Sequence, residues 1–327
     1  MNSTPKPNSE SLPISNLALA YRQFGDPASV LTLESSALAP CAAGLLRVAM
    51  QFAPINASDL IPITGAYRHR VSPPLIAGYE GVGTVMAAPP AFSHLLGQRV
   101  LPLRSVGTWQ RYIDCDPLIA VLVPPDISTT LAARAYINPL AALLMLKQWS
   151  PAGKRVLITA GGSACALLLA QWARLMGAID ITLIHRAPQH GARLQQLSIV
   201  ALAETQRAEI AAAAQQCDLV FDAVGGEIGQ LILQSLSPDA EFIAYGVLSG
   251  KPVRVNAPRP ALHWFHVRHT LEDLAHQDWQ TLFREIWPLL RASECGEVVI
   301  FPLANWRDAI QCYHQSGRDC KPLLQIS

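Results

Sequence analysis

Arg155-Val-Leu-Ile-Thr-Ala-Gly-Gly-Ser-Ala-Cys-Ala166 runs on through Leu167-Leu-Leu-Ala-Gln-Trp-Ala-Arg-Leu-Met-Gly-Ala178 to Ile179-Asp-Ile-Thr-Leu-Ile-His-Arg186. The aliphatic, β-branched run 156–159 has the composition of a buried strand. Gly161, Gly162 and Ser163 make a tight turn. Residues 165–176 are long enough for a helix and mostly apolar, and Gly177 supplies its stop. Residues 181–184 form a second buried strand. The product is a β-α-β unit whose turn aims a helix N-terminus at a pyrophosphate.

The glycine fingerprint of that turn is incomplete. Ala164 and Ala166 stand where a full fingerprint has glycines, and a methyl group restricts φ and holds a phosphate off the backbone. The end of the second strand adds information. A reader of the ribose 2'-hydroxyl there would be Asp or Glu, but this chain has His185 and Arg186. A cation suits a 2'-phosphate, so the expected cofactor is NADP(H) rather than NAD. Gly161, Gly162, Ser163, Ala164, Cys165 and Arg186 are its expected contacts. The competing reading of Arg186 is a solvated charge at a helix entry.

Outward from this unit the texture changes. Upstream, residues 18–127 hold short β runs such as Leu45-Leu-Arg-Val-Ala-Met-Gln-Phe52, Gly81-Val-Gly-Thr-Val-Met86 and Arg99-Val-Leu-Pro-Leu103, divided by Pro and Gly. They predict a barrel-like domain. Residues 131–149 are helical in pattern, with an interruption at Asn138-Pro139. Downstream come an Ala-rich helix at 206–216, a strand and turn at 217–226, a helix at 228–236 and a strand at 241–246. This alternation predicts a doubly wound parallel sheet, hence an α/β fold. Residues 270–292 read as helical, and the segments from 297 to the end as a return to the first domain. Residues 1–13 are polar and expected to be disordered.

The bulk numbers bound the function. A chain of 327 residues suggests two domains. Half of it is hydrophobic, 15% is charged and the net charge is +1, so neither a nucleic-acid partner nor an acidic one is indicated. Seven scattered cysteines without a CxxC pair suit reduced thiols and a cytoplasmic location. No signal-peptide pattern and no bilayer-length apolar run is present, so a soluble protein with no membrane partner is expected.

A wider set of short motifs points to one superfamily. They are Ile55-Asn-Ala-Ser-Asp-Leu60, Thr64-Gly-Ala-Tyr67, Gly78-Tyr-Glu-Gly-Val-Gly83, Gly107-Thr-Trp-Gln110, Ile137-Asn-Pro-Leu-Ala-Ala142, Ala223-Val-Gly-Gly226, Tyr245-Gly246 and Gly317-Arg-Asp-Cys-Lys321. In this order the chain resembles the medium-chain dehydrogenase/reductase superfamily. Within it, the zinc-free 2-enoyl thioester reductases are most similar and the quinone oxidoreductases next. The resemblance implies a GroES-like β-barrel catalytic domain (14–133 and 270–327) and a Rossmann-type NADP-binding domain (134–269). It implies no catalytic metal, because Ala57 and Tyr79 stand at two zinc-ligand positions of the alcohol dehydrogenases and no four-cysteine lobe is present.

The resemblance also assigns roles. Tyr67 falls at the catalytic tyrosine, donating a proton or holding an enolate oxygen. Asn56 and Asn138 orient the nicotinamide end, and Lys321 reaches the cofactor. Tyr245, Gly246, Val247, Leu248 and Thr270 lie along the cofactor's path, and Trp109 lines the substrate pocket. Each has a plainer reading: a surface-loop tyrosine on Pro73 or Pro74, a turn asparagine, a core tryptophan, a solvated terminal lysine. His185, His190, His263, His266 and His269 lack metal spacing. The implied activity is NADPH-dependent reduction of an activated C=C bond in an acyl thioester or enone. Quinone reduction is the alternative, and non-catalytic NADPH binding a further one. A homodimer is expected, paired through strand 241–245 and the segment after Lys251.

Overall fold

The computed structural model describes residues 15–105, 107–197, 199–254, 260–272 and 274–327, so the N-terminal tail 1–13 lies outside the described residues. The first eight strands are β1 (Ser15–Tyr21), β2 (Leu31–Ala37), β3 (Leu46–Pro54), β4 (Leu75–Ile76), β5 (Val82–Ala87), β6 (Arg99–Leu101), β7 (Tyr112–Cys115) and β8 (Val121–Leu122). Then come β9 (Arg155–Ile158), β10 (Asp180–His185), β11 (Val200–Ala203), β12 (Leu219–Asp222), β13 (Glu241–Ala244) and β14 (Ala261–Trp264). The chain closes with β15 (Glu297–Pro302) and β16 (Cys320–Gln325). The helices are α1 (Pro27–Val30), α2 (Ala57–Leu60), α3 (Thr129–Ala132), α4 (Ile137–Gln148), α5 (Ala164–Leu175), α6 (Pro188–Gln196), α7 (Arg207–Gln216), α8 (Gly226–Ser235), α9 (Val267–Glu272), α10 (His276–Arg291) and α11 (Trp306–His314).

Two large sheets organise these elements, beside a small three-stranded sheet β2-β1-β4. The barrel sheet runs β15-β16-β3-β5-β6-β8, with β7 also on β3. Strand β16 pairs antiparallel with β3, Leu323 opposite Pro54, so the end of the chain does return to the barrel. The barrel core takes alternate residues of β3, Leu46, Val48 and Met50, as one buried sheet face requires. The second sheet runs β11-β10-β9-β12-β13-β14, all parallel. Its strand order turns at β9, and helix α5 leaves from the C-terminal end of that strand. This is the place where open α/β sheets bind ligands.

Several expectations change. The break in the helical stretch falls at residues 133–136, and Asn138 and Pro139 lie in the first turn of α4. First-turn N–H groups have no intrahelical acceptor, so a proline there removes no bond. The short helix α6 and the strands β11 and β14 lacked a clear periodic signal. Strand β13 is interior, flanked by β12 and β14, so it is not the sheet's edge. Helix α10 buries Trp279, Phe283, Ile286, Trp287 and Leu290 in a cluster that holds α4 and α5 together with the barrel residues Leu101 and Val121, and its Trp279 indole N–H donates to the Ile119 carbonyl at 3.0 Å.

Candidate active site

The turn after β9 differs from its sequence reading. Ala160 carries the left-handed conformation, with φ 55°. Ala164 and Ala166 lie within α5, where an alanine is at ease. The erosion therefore costs backbone strain at Ala160, about 1 kcal/mol, rather than flexibility at 164 and 166. Gly161 is closely packed, since a Cβ there would sit 3.2 Å from the Ile184 carbonyl oxygen. Ser163 caps α5, its hydroxyl accepting from the Ala166 N–H at 3.2 Å. A Cβ on Gly162 would meet the His190 ring at 2.3 Å, so the imidazole lies directly on the turn. Burial, then the neighbouring His185 and Arg193, pull the pKa of His190 below its usual value.

Beside this turn the Tyr245 hydroxyl is buried next to Cys165 and Ser163. Burial pushes its pKa well up. Gly246 is required where a Cβ would strike the Ala223 carbonyl oxygen at 2.8 Å, and Val247 and Leu248 are exposed beyond it. Arg186 is exposed at the end of β10, and Thr270 is half-buried on α9. The left-handed turn and the capped helix N-terminus fit the diphosphate of a dinucleotide.

A second constellation joins the barrel to α4. The Asn56 amide donates to Glu80 Oε1 at 2.6 Å. Glu80 Oε2 accepts the N–H groups of Tyr136 at 3.1 Å and Ile137 at 2.8 Å, so this barrel carboxylate caps the helix of the other sheet. Asn138 donates to Asn56 Oδ1 at 3.4 Å, and the Lys321 ammonium donates to the same oxygen. Asp59 accepts from the backbone N–H of Asn56 at 2.7 Å and of Tyr79 at 2.8 Å. Burial, then Glu80, push Asp59 up to about 7. Burial pulls Lys321 down to about 8, against the attraction of Glu80. Asn56, Asn138 and Lys321, singled out separately in the sequence, thus meet. Asp59 was missed, although Asn56-x-x-Asp59 has capping-box spacing.

Tyr67 is half-buried on the turn after the short helix Ile61–Thr64, its carbonyl accepting from Arg70 N–H at 2.8 Å. Its ring meets His69 edge-on at 6.3 Å. Burial is the main cause of Tyr79's raised pKa, Arg268 opposes it, and Asp59 and Tyr67 add to it. Trp109 does not have the place expected of a pocket residue. It is fully buried in the barrel core, its indole N–H donating to the Pro54 carbonyl at 3.2 Å. Among the described residues no group of three or more His, Cys, Asp or Glu is placed to hold a metal ion. Ala57 lies on α2 and Tyr79 beside Glu80.

Comparison with known proteins fits this architecture. The profile of the alcohol dehydrogenase GroES-like domain matches residues 42–118. The mitochondrial enoyl-[acyl-carrier-protein] reductase of Arabidopsis thaliana is 31% identical over 305 residues, covering 89% of this chain and 78% of that protein. The chain belongs to the medium-chain dehydrogenase/reductase superfamily. The human mitochondrial enoyl-[acyl-carrier-protein] reductase is 28% identical over 333 residues, covering 94% of this chain and 88% of its own length. A Bacillus thuringiensis structure, provisionally assigned as an NADPH:quinone reductase, superposes with a TM-score of 0.89 at 30% identity, covering 96% of this chain and all of that one. As a member of this superfamily the chain is an oxidoreductase, with its relatives here among enoyl thioester and quinone reductases.

Proposed function

We propose that the protein is an NADPH-dependent reductase of activated C=C bonds, acting on 2-enoyl thioesters or related enones. The observation that carries the reading is the phenol of Tyr67, half-buried on its turn in a chain that matches enoyl-[acyl-carrier-protein] reductases over nearly its full length. NADPH, when bound, supplies the hydride. Gly161, Gly162, Ser163 and the N-terminus of α5 hold the diphosphate, and Arg186 takes the 2'-phosphate. Asn56, fixed by Glu80 and Lys321, and Asn138 orient the nicotinamide end. Tyr67 donates its proton toward the substrate as negative charge builds on the thioester. The bonded ammonium of Lys321 and the vacant positions Ala57 and Tyr79 support a reaction without catalytic metal. Exhaustive chelation is expected to leave the rate unchanged, and zinc bound in a one-to-one ratio by elemental analysis would refute this.

Quinone reduction is the second reading, favoured by the Bacillus thuringiensis match. Turnover of NADPH with a crotonyl thioester and with a benzoquinone separates the two. Turnover of the quinone alone would displace the enoyl reading, and NADPH binding without turnover of either would replace both with a binding role. A homodimer is the proposed assembly. No described helix is long and apolar enough to cross a membrane. The seven unpaired cysteines support a reducing compartment such as the cytoplasm.

A further inference from the structure

The link between α11 and β16 brings two thiols together. Cys312 lies in the last turn of α11, and Cys320 is the first residue of β16. The helix is anchored by Trp306, Ala309 and Ile310, buried in the same cluster as Leu324 and Ile326. The link 315–319 folds back on it, with the Arg318 guanidinium stacked on the Tyr313 ring at 4.5 Å. This return sets the side chains of Cys312 and Cys320 in a hydrogen bond with each other. Both residues are half-buried, so each keeps part of its surface open to solvent.

Three other thiols differ. Burial, first of all, pushes Cys115, Cys165 and Cys217 up to about 12, which keeps them protonated and inert. Cys312 is raised as well, by burial and then by Cys320, while Arg318 opposes the shift. It therefore holds its proton and donates it to the Cys320 sulfur. Cys320 is left as the acceptor, the sulfur from which attack on an oxidant starts. Its position gives the pair a consequence. Cys320 precedes Lys321, whose ammonium donates to Asn56 Oδ1 in the polar joint. The residue after that is fixed, since the Pro322 carbonyl accepts from the Ile55 N–H at 3.2 Å. Whatever moves Cys320 therefore acts on Lys321 before it acts on the sheet.

We propose that Cys312 and Cys320 are a reversible thiol–disulfide site, oxidised by hydrogen peroxide. The Cys320 sulfur attacks one peroxide oxygen. An S–O bond forms, the O–O bond breaks, and the other oxygen leaves as water with the thiol proton. The Cys312 sulfur then attacks Cys320. The S–S bond forms, the S–O bond breaks, and the second oxygen leaves as water with the Cys312 proton. Two electrons pass from the thiols to the peroxide, giving one disulfide and two waters. A dithiol reverses the step by exchange. In a reducing compartment such a bond is transient, which suits a switch rather than a staple. Closing it draws the sulfurs nearer than a hydrogen bond does, and so shifts Lys321 against Asn56. The site itself is independent of the reductase reading, and only its effect on turnover rests on that reading.

The test treats the native full chain with equimolar hydrogen peroxide and maps its peptides by mass without reduction, for wild type, Cys312→Ser and Cys320→Ser. In wild type the peptides holding Cys312 and Cys320 should be joined, two hydrogens lighter, and should separate with dithiothreitol. Cys312→Ser should stop at a dimedone-reactive sulfenic acid on Cys320, and Cys320→Ser should leave Cys312 a thiol. Peroxide that leaves both as thiols, carries either to a sulfinic acid, or joins them to other cysteines would overturn the site. If a variant fails to fold, the wild-type map decides alone. Turnover of NADPH with a crotonyl thioester is the second readout. It should fall roughly tenfold on oxidation and return with dithiothreitol, because small misplacements of positioning groups are costly to rate. A cross-linked chain that turns over as fast as the reduced one would overturn the coupling to Lys321. A reduced chain with no turnover would remove the reductase reading, and the mass map would still judge the site.

Discussion

On the proposed reading, the choice of substrate turns on Tyr67. Tyr67→Phe removes one hydroxyl and little volume, so fold and NADPH binding should persist. With an enoyl thioester the rate should fall roughly 10²–10³-fold, mainly in kcat, because the bond strengthens only as charge develops on oxygen. A quinone already has an electron-poor ring, and its reduction should tolerate the change. A loss of only several-fold with the thioester would make Tyr67 a packing residue. On the proposed reading Arg186 carries the cofactor preference in the same way. It is exposed, and Arg186→Ala should weaken NADPH by about 1.5–3 kcal/mol while leaving NADH nearly unchanged. Equal effects on the two cofactors, measured by titration of intrinsic fluorescence, would remove it from the 2'-phosphate site.

At the scale of elements, the joint between barrel and sheet is a polar one. Glu80 leaves β-barrel sequence to cap α4, and Asp59 closes the turn that carries Asn56. How much of this was legible depends on whether the signal is local. Strand β9, helix α5 and strand β10 could be read because hydrophobic period and turn chemistry lie within thirty residues or so. Glu80 could not be read as a helix cap, because its acceptor role joins residues far apart in sequence. The glycine rule pointed to 164 and 166, while the left-handed residue proved to be Ala160, since the start of α5 decides which loop position carries the strain. Trp109 had a motif and a core reading, and packing chose the core.

The Asp59 cluster also makes a pH prediction. Its folded pKa, about 7, lies above the ordinary 3.8, so the native state holds a proton that the unfolded chain releases. That contribution is fully present below pH 4 and is lost as pH rises to 7. Lys321 has the opposite sign. Its folded pKa, about 8, lies below 10.5, so its contribution is present above 10.5 and lost as pH falls through 8. The cluster should therefore contribute least between pH 7 and 8. In urea titrations, the stability advantage of wild type over Asp59→Asn should shrink between pH 4 and 7. A difference independent of pH would show that Asp59 is ionised throughout.

For the whole molecule, the question is what covers the open side of the parallel sheet. Strand β13, which the sequence suggested as an edge, is paired on both sides, and β14 is the outermost strand on that flank. Among the described residues no strand pairs with its other rim, and an open strand edge is a liability in water. It ends on Trp264, which is 56% exposed, an unusual place for the largest apolar side chain. A twofold axis perpendicular to the sheet would set β14 antiparallel to its copy and satisfy both rims at once. Covering each tryptophan would contribute roughly 2–3 kcal/mol per protomer. Light scattering at micromolar concentration should give twice the 35.4 kDa of the chain. Trp264→Lys should yield a folded monomer that still binds NADPH, because the nucleotide turn follows β9, three strands away. A monomeric wild type, or a dimer that Trp264→Lys leaves intact, would place any interface away from β14.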